Sequence, residues 1–329
     1  MRSYKIALLF LLTLSAFQAT FAQDEDPVKI DTSIVRLNVG VVDRRGKPVT
    51  SLSRSNFTVL EDGVSQEISR FEPTTAPFSL VMILDMSGST LSMRQVMKQS
   101  AFRFIDALSP DDRVAVVEFY DKINLRNDFT TDRRKIINSI EVSNGRGKSQ
   151  FYRALDFALN KLAGEGKRRK AIIVLSDGVD TVVRDQDREL LSKLPDDSVA
   201  GAIKPENSEI LKRVLNKADA LGATIYPLAL PTGDPSKLAD PTPRQVEMFK
   251  AARDRLHLVA VRSGGTLHRI NRLEELATLY AQVAAELRTL YTIEYQPLNE
   301  KRDGKWRSIK IEVDDSELLA RTRQGYFAR

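Results

Sequence analysis

The chain has 329 residues, with 50 Lys and Arg against 44 Asp and Glu and no cysteine. That length exceeds one ordinary domain and allows a large core with a smaller accessory unit. Without cysteine there can be no disulfide, thiolate metal site or thiol nucleophile, and a net charge of +6, scattered along the chain, does not point to nucleic acid.

Residues 1–22 have the layout of a signal peptide: Arg2 and Lys5, an apolar run from Ile6 to Phe17, then small residues at Thr20 and Ala22, with cleavage expected after Ala22. The run is shorter than a bilayer span and is interrupted by Thr13 and Ser15. The chain is therefore expected to be exported, to the periplasm or the cell exterior, with no stable membrane span after cleavage. Residues 23–30 read as a flexible polar start. From Ile34, apolar Val35, Leu37, Val39 and Val41 alternate with polar or small residues, the period of a half-buried strand. Phe57–Gly63 and Gln66–Phe71 supply two more strands, and the three are expected to form a small antiparallel unit within residues 23–76.

After a linker at Pro73–Pro77 the periodicity changes. Leu80 to Leu84 is apolar without alternation, as in a parallel strand buried on both faces. A helix is expected over 91–108, strands over 113–120 and 123–129 with the latter an antiparallel edge, and a helix over 133–140 capped from Thr130-Thr131-Asp132. Ser149 is placed to cap a helix over 150–162. Lys167 to Lys170, a basic run, reads as a solvated lead-in to the apolar strand 171–175. Residues 180–207 read mostly as a mobile excursion, with a short helix near Arg188 to Leu194 as the alternative. Beyond them come a helix over 209–221, a strand over 224–230, a Pro-rich loop over 231–243, and a helix over 244–261 stopped at Gly264-Gly265. A short strand over 266–270 and a helix over 273–290 follow. Residues 77–290 are thus expected to be an α/β domain with a doubly wound, mainly parallel sheet. Period-two strands return near 291–295, 309–313 and 319–322. Too few to stand alone, the strands of 23–76 and 291–329 are expected to pair into a small β-sandwich through which the α/β domain is inserted.

The first buried strand ends in Asp85-Met-Ser87-Gly-Ser89, and the strand 171–175 ends in Ser176-Asp177-Gly178. Hard oxygen donors at two strand ends, with the Ser149 hydroxyl at a helix start, suit a small hard cation, Mg²⁺ or Mn²⁺, if the strands are neighbours. Such an ion would keep an exchangeable position for an outside carboxylate. Local capping and turn formation explain each motif separately; their joint placement on two buried strands favours the ion. Enzymatic readings are weaker. His257 and His268 stand near apolar positions, no Gly-x-Ser-x-Gly elbow supports a nucleophile, and Gly145-Arg-Gly147-Lys-Ser149 lacks phosphate-loop spacing.

Asp85-Met-Ser87-Gly-Ser89, Gly147-Lys-Ser149-Gln-Phe-Tyr-Arg-Ala-Leu155 and Leu175-Ser-Asp177-Gly-Val-Asp180 resemble the three loops of the von Willebrand factor A domain that form its metal-ion-dependent adhesion site. Phe57–Gly63 and Tyr291–Tyr295 through Tyr326 resemble a secreted bacterial subgroup of that family. The resemblance implies direct coordination by Ser87, Ser89 and Ser149, with Asp85 and Asp177 acting mainly through bound water, and a non-enzymatic adhesion module whose partner is a protein offering a carboxylate. Ser149 stands where the family usually has Thr, and Arg153 where Asp is common. An envelope protein with a metal-free site is the alternative reading, and metal-assisted hydrolysis a third.

Overall fold

The computed structural model describes residues 34–328; the expected signal peptide (1–22) and polar start (23–30) lie outside the described residues. Four strands come first: β1 (Val35–Asp43), β2 (Phe57–Glu61), β3 (Val64–Gln66) and β4 (Ile68–Glu72). The α/β portion runs β5 (Phe78–Asp85), α1 (Arg94–Ala107), β6 (Arg113–Phe119), β7 (Ile123–Thr130), α2 (Arg133–Glu141), α3 (Phe151–Ala163), β8 (Arg169–Ser176) and α4 (Thr181–Ser192). It continues through α5 (Glu209–Leu221), β9 (Ala223–Ala229), α6 (Pro243–Ser263), β10 (His268–Arg269) and α7 (Leu276–Leu287). The chain closes with β11 (Leu290–Tyr295), β12 (Trp306–Val313), β13 (Leu318–Arg321) and β14 (Gly325–Phe327).

The central sheet has the order β10-β9-β8-β5-β6-β7, parallel except for the antiparallel edge β7. All residues of β5 and β8 are buried, which is why neither shows alternation. One face packs on α1, α2 and α7 through Met82, Leu84, Val116 and Ile173; the other packs on α3, α5 and α6 through Val81, Ile83, Val117 and Val174. From β5 the chain winds outward through β6 and β7, then returns to β8 on the other side, so the winding reverses between β5 and β8. Ligands of open α/β sheets bind outside the carboxyl ends of strands at such a reversal.

The flanking strands form two four-stranded sheets, β13-β1-β11-β4 and β14-β12-β2-β3. Between them lie Leu37, Val39, Val59, Ile293, Tyr295, Ile309 and Ile311, contributed by both chain ends. The inserted doubly wound domain and the sandwich thus agree with the period reading. The proposed three-stranded unit does not. Its strands are divided between the sheets, because β1 needs β11, Val35 opposite Tyr295, and β2 needs β12. The third strand is itself broken between Gln66 and Ile68, one piece in each sheet.

Two other expectations are overturned. Residues 180–207 are largely helical, and Leu191, Val199, Ile203 and Ala251 form a small core that anchors them to α6; the charged residues of the helix, Asp187 excepted, face outward. The run Lys167 to Lys170 is not solvated throughout, since Arg169 and Lys170 are buried. Arg169 lies over the Phe78 ring, 4.0 Å from its centroid, and donates to the carbonyls of Leu290 and of Thr74, the latter at 3.0 Å. The run is therefore part of the joint between sheet and sandwich. Asn38 of β1 reaches across the same joint, donating to Thr224 Oγ1 at 2.8 Å and Gly222 O at 3.2 Å.

Candidate functional site

At the carboxyl end of β5 the backbone turns sharply: Ser87 N donates to Asp85 Oδ1 at 3.0 Å and Thr90 Oγ1 to Asp85 O at 2.8 Å. The next residues form a 3-10 turn over 88–93 before α1 begins. A helix starting at residue 91 is thus delayed by one tight turn, which brings the hydroxyls of Ser87 and Ser89 to 3.2 Å from each other. β8 is the direct neighbour of β5, with Leu84 opposite Leu175. In consequence Ser176 Oγ donates to Asp85 Oδ2 at 2.6 Å. Both carboxylate oxygens of Asp85 are held by neutral donors, and the residue has no exposure to solvent. Burial, with the nearby Asp177 charge second, pushes its pKa up to about 7. Burial and the Asp177 charge both disfavour the ionised form of this carboxyl, and only a positive charge beside it would favour that form.

Asp177 follows one residue later, its Oδ1 accepting from Val179 N at 3.0 Å and its Oδ2 from Thr232 Oγ1 at 2.7 Å. Gly178 makes the turn possible: its φ is +78°, and a Cβ there would lie 2.5 Å from Leu256 Cδ1. The middle loop is tied to the first by Gly88 N donating to Gly147 O at 3.1 Å.

Ser149 does not cap α3. Gln150 occupies the cap position without a side-chain bond, and the first turn is served from across the site by Asp180, whose Oδ2 accepts from Tyr152 N at 3.3 Å. The backbone of Ser149 is paired twice with Thr181, through its N to Thr181 Oγ1 and through its O from Thr181 N, both at 2.9 Å. Its hydroxyl is buried and has no hydrogen-bond partner. Nor does the Ser87 side chain cap the turn that it precedes. The capping explanation therefore fails at Ser87 and Ser149, while Ser176-Asp177-Gly178 does form a turn, with Gly178 N donating to Ser176 Oγ at 3.0 Å.

Ser87, Ser89, Ser149 and Asp177 all line one cleft of about 1210 Å³, with Asp85 directly beneath. The structure thus brings the five sequence-nominated residues to one end of the sheet. Among the described residues no three His, Asp or Glu side chains converge as a metal centre, so an ion here would depend on hydroxyls. Two carboxylates and three hydroxyls, one of them the orphaned Ser149 Oγ, fit a hard divalent cation that retains water. Ser176, Thr181, Asp180 and Thr232 were not assigned by sequence reasoning, though they orient the nominated groups. Ser176 and Asp180 flank Asp177 and could have been found by proximity; Thr232, in a Pro-rich loop, carries no such signal. Arg153 is exposed, bonded to Gln150, and does not line the cleft. His257 is exposed on α6, while His268 is half-buried on β10 and held below its ordinary pKa by burial and Arg321.

Residues 80–179 match the von Willebrand factor type A domain family, and no curated protein matches the chain. Among solved structures, the chain is similar to the vWF domain of the type V pili tip protein Mfa5 from Porphyromonas gingivalis, at 16% identity and TM-score 0.46, covering 64% of this chain and 95% of that one. A von Willebrand factor type A protein from Catenulispora acidiphila matches at 14% identity and TM-score 0.46, covering 92% of this chain and 64% of that one. The pilus adhesin SpaC from Lactobacillus rhamnosus GG matches at 10% identity and TM-score 0.48, covering 90% and 47%.

Proposed function

We propose that this chain, which carries a von Willebrand factor type A domain, is an exported, non-enzymatic protein-interaction module that holds Mg²⁺, or Mn²⁺, at the β5/β8 rim and accepts an acidic residue of a protein partner there. The observation that carries the reading is the Ser149 hydroxyl, buried and without a partner on the cleft that Ser87, Ser89 and Asp177 also line. An unsatisfied buried hydroxyl is costly unless a ligand completes it. Ser87, Ser89 and Ser149 would hold the ion. Asp85, with both oxygens already engaged, and Asp177 would neutralise it and orient its water. When bound, the ion supplies a Lewis-acidic position able to take a carboxylate oxygen.

Export rests on Arg2, Lys5, the apolar run to Phe17 and the small residues before Gln23. Among the described residues no helix is long and apolar enough to cross a membrane. Arg153, which together with Ser149 motivated the metal-free alternative, is not among the residues that line the cleft.

Calorimetric titration of MgCl₂ into the purified protein and into Asp85→Ala tests the reading. Saturable heat in the parent and none in the variant is expected. Equal or absent heats in both would sink it.

A further inference from the structure

The rim accounts for one end of the cleft only. A cation with its waters fills a small part of about 1210 Å³, since one water occupies about 30 Å³; the whole is the size of a pocket that buries an organic ligand. The remainder is walled by α4, α6 and the 231–238 loop, two of which sequence reasoning left without a role. The wall is apolar where Val183, Leu238, Met248 and Phe249 face it. Leu238, 49% exposed, is among the large apolar side chains that the fold leaves in water.

The floor is built of buried polar groups. Arg255 is held by Asp187 through two bonds, Nη1 to Oδ2 at 2.6 Å and Nη2 to Oδ1 at 2.7 Å. Its Nε is buried with no acceptor, and the phenol of Tyr152, itself fully buried, has none either. Arg255 acts on the Tyr152 phenol electrostatically, while burial pushes that phenol above its ordinary pKa, so it stands as a neutral donor. Two unsatisfied donors beside an apolar wall suit a main-chain carbonyl next to a large apolar side chain. At the mouth, the exposed Lys148 and Lys237 are accompanied by Asp121, Asp185 and Asp234, so the charge there is mixed.

From this we infer that the cleft reads two neighbouring residues of an extended partner segment: an acidic residue at the rim and, beside it, a large apolar residue in the chamber between α4 and the 231–238 loop. The inference rests on the rim reading for the acidic half and on the chamber alone for the apolar half. Burial of one aromatic side chain is worth about tenfold or more in affinity, and Tyr152 with Arg255 fixes the register of the segment by its backbone.

The test uses three capped peptides, acetyl-Gly-Glu-Phe-Gly-amide, acetyl-Gly-Phe-Glu-Gly-amide and acetyl-Gly-Glu-Gly-Gly-amide, titrated into the full chain by NMR with MgCl₂ and with EDTA. One aromatic peptide is expected to bind about tenfold more tightly than the glycine peptide. Leu238→Ser, a change at an exposed position, and Phe249→Ala are expected to erase most of that ratio with Mg²⁺ affinity unchanged. Tyr152→Phe is expected to weaken all three peptides about threefold. Equal, Mg²⁺-dependent affinities for the three peptides would overturn the chamber and leave the rim. A preference for the aromatic that persists in EDTA would overturn the rim and leave the chamber. No binding by any peptide overturns both.

Discussion

The two ends of the central sheet bury polar side chains in opposite ways. At the amino ends of β5 and β8, where the sheet meets the sandwich, such groups reach across to the other half: Arg169 to the Leu290 and Thr74 carbonyls, Asn38 to Gly222 and Thr224 while accepting from Thr292 at 3.2 Å. At the carboxyl ends, the Ser149 hydroxyl is buried with nothing to bond, and Asp85 is buried with its two oxygens held only by Ser87 N and Ser176 Oγ. Polar burial at the first end joins two folding units. At the second it leaves the Ser149 hydroxyl unpaired on an open cleft, whereas the unpaired Nε of Arg169 is enclosed within the joint.

The largest effect that separates the ends is expected from Arg169→Ala. It leaves the Leu290 and Thr74 carbonyls without their donor and a void beneath Phe78, and should cost about 3 kcal/mol in urea unfolding. Mg²⁺ at a hundredfold excess over its dissociation constant should raise stability by about 2.7 kcal/mol. Thermal melts with and without EDTA read this, and Asp85→Ala should show no such gain. Asn38→Ala, again at the joint, should lose about 2 kcal/mol.

Ser149→Ala sharpens the contrast most. In metal-free buffer its stability should stay within about 0.5 kcal/mol of the parent, because the hydroxyl it removes bonds to nothing. Calorimetric Mg²⁺ affinity should nevertheless fall about tenfold or more. A large loss of metal-free stability would make the rim another joint. The smallest effect concerns pH. Burial lowers the Lys170 pKa from 10.5 to about 8. The folded state thus holds fewer protons than the unfolded one between these values, and stability should rise as pH climbs above about 8. Lys170→Met should flatten that slope in denaturant titrations at pH 7.5 and 9.5.

Much of this was legible from periodicity. Unbroken apolar runs marked β5 and β8 because both their faces are covered, and alternation marked β12, whose burial switches residue by residue from Arg307 to Ile311. The oxygen donors were legible because they stand at the ends of those runs. Partnership across distance was not. Nothing local says that β2 pairs with β12 rather than β1, that Arg169 turns inward to Leu290, or that Thr232 reaches Asp177. The composition of 180–207 concealed a helix for a related reason. Its apolar residues, few and spaced, find their partners on α6, and charge dominates any window read by itself.

Pairing of β1 with β11 also sets an order of events. Arg36 and Glu294 form an ion pair 258 residues apart in sequence, so as the chain is made, β1 is finished long before its partner exists. The contacts within residues 78–287 are available earlier, and the α/β unit can close while the first strands wait. Only the last forty or so residues release them. A chain truncated before β11 would retain every candidate ligand of the rim, yet it would carry an unpaired apolar strand at its head, open to any other strand that it met first.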